Sequence, residues 1–78
     1  MGDKISQGNE IELDVRGLQA PEPLVRILEA LDALPPGSVL RVLHHREPFP
    51  LYAALQEEGY RYRTGFAADG HIEITIWR

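Results

Sequence analysis

The stretch Glu10-Ile11-Glu12-Leu13-Asp14-Val15-Arg16-Gly17-Leu18-Gln19-Ala20-Pro21-Glu22-Pro23-Leu24 holds a strand, a turn and the start of a helix. Ile11, Leu13 and Val15 alternate with Glu10, Glu12 and Asp14, the period of a strand with one buried face. Arg16-Gly17-Leu18-Gln19 breaks the alternation, and Pro21 opens a helix in the position where a missing N–H costs least. Leu24, Ile27, Leu28, Leu31 and Leu34 then recur three and four apart, an apolar stripe outside which Glu22, Arg26, Glu29 and Asp32 largely fall. Pro35-Pro36-Gly37 stops that helix, since each proline drives its predecessor out of helical geometry.

Downstream, Val39 to Leu43 is apolar and β-branched with Arg41 as its only charge, which suits an inner strand. His44-His45-Arg46-Glu47 reads as a polar turn. Pro48-Phe49-Pro50 leads into a second helix with Leu51, Ala54 and Leu55 at helical spacing, and Gly59 is placed to end it. Tyr60, Tyr62, Thr64 and Phe66 alternate with Arg61, Arg63 and Gly65, and Ile72, Ile74 and Ile76 alternate with Glu73, Thr75 and Trp77. Asp69-Gly70 joins the two runs as a hairpin. The order is β-α-β-α-β-β. Two helices of this length cover one face of four strands, so the expected fold is an α/β (α+β) two-layer sandwich: a four-stranded mixed sheet with both helices on one face. Residues 1–9, polar and carrying Gly2 and Gly8, read as a flexible tail, and 10–78 as a single domain. No internal repeat or low-complexity stretch is apparent, which removes the solenoid class.

Composition narrows the chemistry. The 78 residues include no cysteine, which excludes thiol, persulfide and disulfide chemistry, and three histidines do not supply a closed structural zinc site. A net charge of −4 argues against broad binding to phosphate backbones. No apolar run reaches membrane-spanning length, Met1 to Glu10 lacks a signal-peptide core, and a soluble, cytoplasmic protein is expected. Gly2 and Ser6 fit a loose myristoylation pattern, read as accidental. Ser6 lies in the tail and Ser38 in a turn, so no serine nucleophile is placed for catalysis, and glycine-rich phosphate loops are missing. No enzyme activity and no cofactor are expected.

Leu13-Asp14-Val15-Arg16-Gly17-Leu18-Gln19-Ala20-Pro21-Glu22-Pro23 resembles the signature of the TusA and SirA-like sulfur carriers, a strand running through Gly-Leu-x-Cys-Pro-x-Pro into a helix. The element order and the Leu34-Pro35-Pro36-Gly37 break resemble that family as well. In those carriers the cysteine before the first proline bears the persulfide, activated at a helix N-terminus; here Ala20 stands in its place, and a methyl group cannot carry sulfur. The chain is also similar to an uncharacterised bacterial family neighbouring TusA, which keeps Asp-x-Arg-Gly-Leu and Pro-x-Pro and often has a histidine-containing turn before Pro-x-Pro-Leu. The matching residues here are His44-His45-Arg46-Glu47-Pro48-Phe49-Pro50-Leu51. That resemblance implies a protein partner, of hemerythrin-like or sulfur-metabolism type, and implies no activity.

Three candidate sites follow. The turn of Asp14, Arg16, Gly17, Ala20, Pro21, Glu22 and Pro23 lies where α/β sheets often bind ligands. Against an anion there, Pro21 and Pro23 remove donors and Glu22 adds negative charge; the same residues also serve simply to shape the turn. His44 and His45, with His71, are candidate metal or haem ligands, although neighbours on an extended chain point to opposite faces and solvated loop histidines are the plainer reading. The open sheet face, with Arg61, Arg63 and Trp77, fits a protein-docking surface or an ordinary exposed face, and its stacking residues also permit RNA, which the acidic balance disfavours. The expected function is a non-catalytic TusA-like accessory module binding a protein partner or small ligand, with a metal- or haem-linked redox accessory using His44 and His45 as the alternative.

Overall fold

The alternation that opens the sequence is realised as β1 (Glu10–Asp14), in a computed structural model that describes residues 9–78. Residues 1–8 of the expected tail lie outside the described residues. The chain continues through α1 (Glu22–Asp32), β2 (Val39–His44), α2 (Phe49–Glu58), β3 (Arg61–Phe66) and β4 (Ile72–Trp77). The sheet order is β1-β2-β4-β3, with β1 and β2 parallel and the other two pairings antiparallel. β2 is therefore an inner strand, as its apolar run implies, and β4 enters between β2 and β3.

Register decides which side chains share a face. Leu40 pairs with Ile76, Val42 with Ile74 and His44 with Ile72, so these six lie on one face of the sheet. Both helices cover that face: Ile27 and Leu31 of α1 and Leu51 and Leu55 of α2 form one cluster with Val15, Leu40, Val42, Ile72, Ile74 and Ile76. The fold is thus the expected two-layer α+β sandwich. Two details of the apolar pattern differ. On α1 the buried line is Pro23, Ile27 and Leu31, four residues apart, while Leu28 is 37 % exposed. The helix turns a narrow line of residues toward the sheet, and positions beside that line stay partly exposed. Ile11 is 42 % exposed because β1 is an edge strand with a neighbour on one side only.

The turns match their residues. Gly59 caps α2 at φ 82°, a left-handed conformation that strains any side chain, and Gly70 takes φ 94° where the β3–β4 hairpin closes on the Ala67 N–H to His71 C=O bond of 2.9 Å. Each helix starts with the same device, a proline at the N-cap (Pro21, Pro48) and another in the first turn (Pro23, Pro50). Pro21 therefore precedes the helix it was expected to begin. Among the described residues no helix is long and apolar enough to cross a membrane.

Ile27, fully buried at the centre of the α1 contact line, sets a stability test. Ile27→Ala is expected to cost about 2–5 kcal/mol in urea unfolding, and Leu28→Ala no more than about 1 kcal/mol. Equal losses would contradict the narrow contact line.

Candidate binding groove

Because β1 and β2 run parallel, both strand-to-helix turns leave the same end of the sheet. They meet there as the walls of a groove of about 980 Å³. Gly17 to Pro21, Pro23, Leu24 and Ile27 form one wall, and His44 to Leu51 the other. The groove is built from matching segments. The Pro-x-Pro-Leu motif of Pro21 to Leu24 recurs at Pro48 to Leu51, each with a further leucine four residues on (Leu28, Leu55), a likeness that periodicity alone did not reveal. Lining up the two Pro-x-Pro-Leu motifs would have found it.

The helix starts face the groove with most of their donors spent. At α1 the Glu22 N–H is bonded to Gln19 C=O at 2.9 Å and the Val25 N–H to Pro21 C=O at 3.1 Å, while Pro23 has no N–H. At α2 the Leu51 and Tyr52 N–H groups share Pro48 C=O at 3.0 and 3.4 Å. This leaves, among the described residues, Leu24 and Phe49 as the first-turn N–H groups without a backbone acceptor. Two single donors on opposite walls do not make the cluster of N–H groups that cradles a phosphate. Arg16 adds no free charge either. Its Nε and Nη2 donate to Asp14 Oδ1 and Oδ2 at 2.9 and 2.8 Å, and its backbone N–H donates to Oδ1 at 3.0 Å. This pairing with the Arg16 side chain, then its N–H, holds the Asp14 carboxyl at about 2.

Of the turn residues considered from sequence, Gly17, Ala20, Pro21 and Pro23 line the groove. Asp14 and Arg16 pair with each other, Glu22 pairs along the helix with Arg26 at 3.2 Å, and Trp77 sits at the far end of β4. Ala20, where sulfur carriers place their nucleophile, is exposed on the groove wall.

His44 differs from a solvated loop histidine. It is the last residue of β2, on the core face, and only 4 % exposed. Its Nδ1 accepts the Arg46 backbone N–H at 3.3 Å, which puts the ring proton of the neutral form on Nε2. Among the described residues no buried side-chain nitrogen or oxygen lacks a partner, so Nε2, with no protein acceptor among them, is not sealed from solvent, and His44 is one of the residues that line the groove. Burial, then the neighbouring charges of His45 and Arg46, push the His44 pKa below its ordinary 6.5. The result is a neutral N–H donor in a wall that also carries His45, Arg46 and Glu47 before its apolar Pro48 to Leu51 half.

The other histidines divide. His45 is exposed beside His44, with ring centroids 5.1 Å apart. His71 is not brought to them. It lies on the opposite face of the sheet, Nδ1 at 2.5 Å from Asp69 and Nε2 at 3.4 Å from Glu73. Alternation in β4 explains this, since Ile72 shares the face of His44 and Glu73 does not. The three-histidine set is therefore not assembled, and among the described residues no three His, Cys, Asp or Glu are grouped to hold a metal.

The second wall is fixed from behind by Tyr52. Its hydroxyl donates to Glu47 at 3.1 Å and bonds Thr64 Oγ1 at 2.7 Å, and its ring stacks on Tyr62 at 4.7 Å with Phe49 edge-on at 5.9 Å. These contacts tie the start of α2 to β3. Sequence alternation put Tyr60 and Tyr62 on one face of β3 without deciding which face, and gave no sign of the Tyr52–Tyr62 stack.

A two-layer sheet whose first strand-to-helix turn ends in Ala-Pro-x-Pro, with no cysteine in the chain, defines a SirA-like domain without the carrier thiol. The structure of a SirA-like protein from Desulfitobacterium hafniense is similar, with a TM-score of 0.76 and 29 % sequence identity over 85 % of this chain and 93 % of that one. Residues 12–78 match the uncharacterized conserved protein family DUF2249, and the chain belongs to that family. No curated protein matches it.

The ring environment sets a pH test. A folded pKa below the unfolded one means that the neutral ring's contribution to stability is complete above pH 6.5 and is lost as pH falls through the folded value. NMR titration is expected to find His44 as the Nε2–H tautomer with a midpoint below 6.5, and His44→Gln should flatten the stability profile in that range. A midpoint at or above 6.5, or an Nδ1–H tautomer, would contradict this assignment.

Proposed function

We propose that this chain is a non-catalytic accessory module of the cytoplasm. Its groove binds an apolar group that carries a hydrogen-bond acceptor, on a small ligand or on a segment of a protein partner. The observation that carries this reading is the convergence of two Pro-x-Pro-Leu helix starts on one groove that His44 also lines, its Nδ1 already bonded. Leu18, Leu24, Ile27 and Leu51 supply apolar walls, and a few polar groups among such walls give a binding site its orientation and selectivity. The prolines suit the same role. They fix the helix starts before anything binds, so little ordering entropy remains to be lost.

Ala20 separates binding from carriage. A sulfur carrier needs a thiolate, and this position offers a methyl group on an exposed wall. No other residue lining the groove is a cysteine or serine, so covalent relay of an acyl or sulfur group has no side-chain nucleophile of those kinds there.

The test is an NMR titration with short Leu- and Pro-containing peptides and with heterocyclic fragments bearing a carbonyl. Shift changes are expected to cluster at residues 17–24 and 44–51, and His44→Phe should weaken binding about tenfold by removing one hydrogen bond in an apolar site. No response to any probe, or changes confined to the opposite sheet face, would overturn the reading. Ala20→Cys treated with a persulfide donor is a separate measurement: mass gain of one sulfur atom is expected, because the scaffold around the missing thiol is kept. A scaffold remodelled around another task would leave that cysteine unmodified.

A further inference from the structure

The sheet face that no helix covers is ordered by charge. Ladder register sets its side chains in rows across the four strands. One row runs Glu12, Arg41, Thr75, Arg63; another runs Asp14, Leu43, Glu73, Gly65. Glu10 pairs with Val39 and Trp77 with Arg61, and extending the β2–β4 ladder by one residue joins them as Glu10, Val39, Trp77, Arg61.

Three carboxylates, Glu10, Glu12 and Glu73, share the single Arg41 guanidinium at 3.8, 3.1 and 2.9 Å. That side of the face keeps an excess of negative charge. On the β3 side, Arg61 and Arg63 pair with no carboxylate among the described residues. One edge strand is thus acidic and the other basic, with Trp77, partly exposed, between them.

We infer that this face is the docking surface for a second copy of the chain. A two-fold axis parallel to the strands, passing between β2 and β4, turns each row onto its own reverse. Glu10 then faces the second copy's Arg61, Glu12 faces Arg63, Val39 faces Trp77 and Arg41 faces Thr75, each contact occurring twice. Every uncompensated charge meets its opposite, and the symmetry closes at two copies. An axis perpendicular to the strands would instead bring acidic strand onto acidic strand and basic onto basic. Facing sheets pack about 10 Å apart, a gap that arginine and glutamate side chains bridge from the two sides. The groove, on the helix side of the sheet, stays open.

The surface is small. Four strands about 4.8 Å apart and six residues rising about 3.3 Å each give roughly 400 Å² per copy, roughly 800 Å² together. That is less than a standard stable interface, so the dimer is weak, reversible and dependent on charge.

The experiment is sedimentation velocity with parallel fluorescence of Trp77, the one tryptophan of the chain. Runs at about 10 mM and about 1 M salt shorten the screening length from about 30 Å to about 3 Å. Dimer is expected to grow with concentration at low salt, to shift Trp77 emission to the blue, and to weaken about tenfold or more at high salt. R61E/R63E and E10R/E12R are each expected to be monomeric, and an equimolar mixture should recover the dimer, because an all-acidic face then meets an all-basic one. Far-UV circular dichroism checks that both variants are folded, and the neutral pair R61Q/R63Q replaces a variant that is not. A chain that stays monomeric up to about 1 mM at low salt would overturn the inference. So would a dimer that the charge changes leave intact, or a mixture of the two folded reversed variants that fails to associate.

Discussion

The parallel pairing of β1 with β2 is the constraint on which the rest of the molecule depends. Adjacent parallel strands cannot be joined by a hairpin, so α1 must carry the chain back along the sheet, and the next crossover repeats the step with α2. Both helices cover the same face, and both turns leading into them leave the same end. The groove follows from this topology before any side chain is considered. An antiparallel start would have put the two Pro-x-Pro motifs at opposite ends of the molecule, where neither makes a concave surface alone.

Given that geometry, side-chain chemistry decides what kind of groove it is. A helix N-terminus ordinarily offers a set of N–H groups and a positive field. Here prolines remove some donors, backbone carbonyls take others, and the nearby Arg16 is held by Asp14. The second wall carries the neutral His44 ring, whose Nδ1 is tied to the Arg46 backbone, together with the polar side chains of His45, Arg46 and Glu47. Anion binding by the helix starts themselves is weakened by these arrangements, and Arg46 is the groove-lining cation that pairs with no carboxylate among the described residues.

The fold was legible because its signals are local. Period-two alternation at Glu10–Val15 and Ile72–Trp77, proline and glycine breaks at 35–37, and Gly59 each act within a few residues, so they can be read without knowing the neighbours. The site was legible only in part, because it depends on strand order. Gly17, Ala20, Pro21 and Pro23 belong to one turn and stay together in the structure. His44 and His71 are similar residues in sequence, but insertion of β4 beside β2 fixes a register that sends one into the core face and the other to the opposite side. The burial of His44 likewise cannot be read from its polar neighbours, since strand β2 runs one residue further than its apolar run suggests.

The two faces of the sheet also explain how so small a chain keeps an open groove at one end. A domain of this size has a limited apolar core, and here its main cluster lies between the helices and one sheet face. The other face contributes through ion pairs such as Arg41 with Glu73, which cost little to desolvate when water remains nearby. Most of the stability and the groove therefore draw on the helix-covered side, while the charged side adds only its surface ion pairs. Changes to Glu10, Glu12, Arg61 or Arg63 can alter what meets that face without disturbing the packing of Ile27, Leu55 and Ile74 beneath it. That separation lets the charged face and the groove be altered independently of each other.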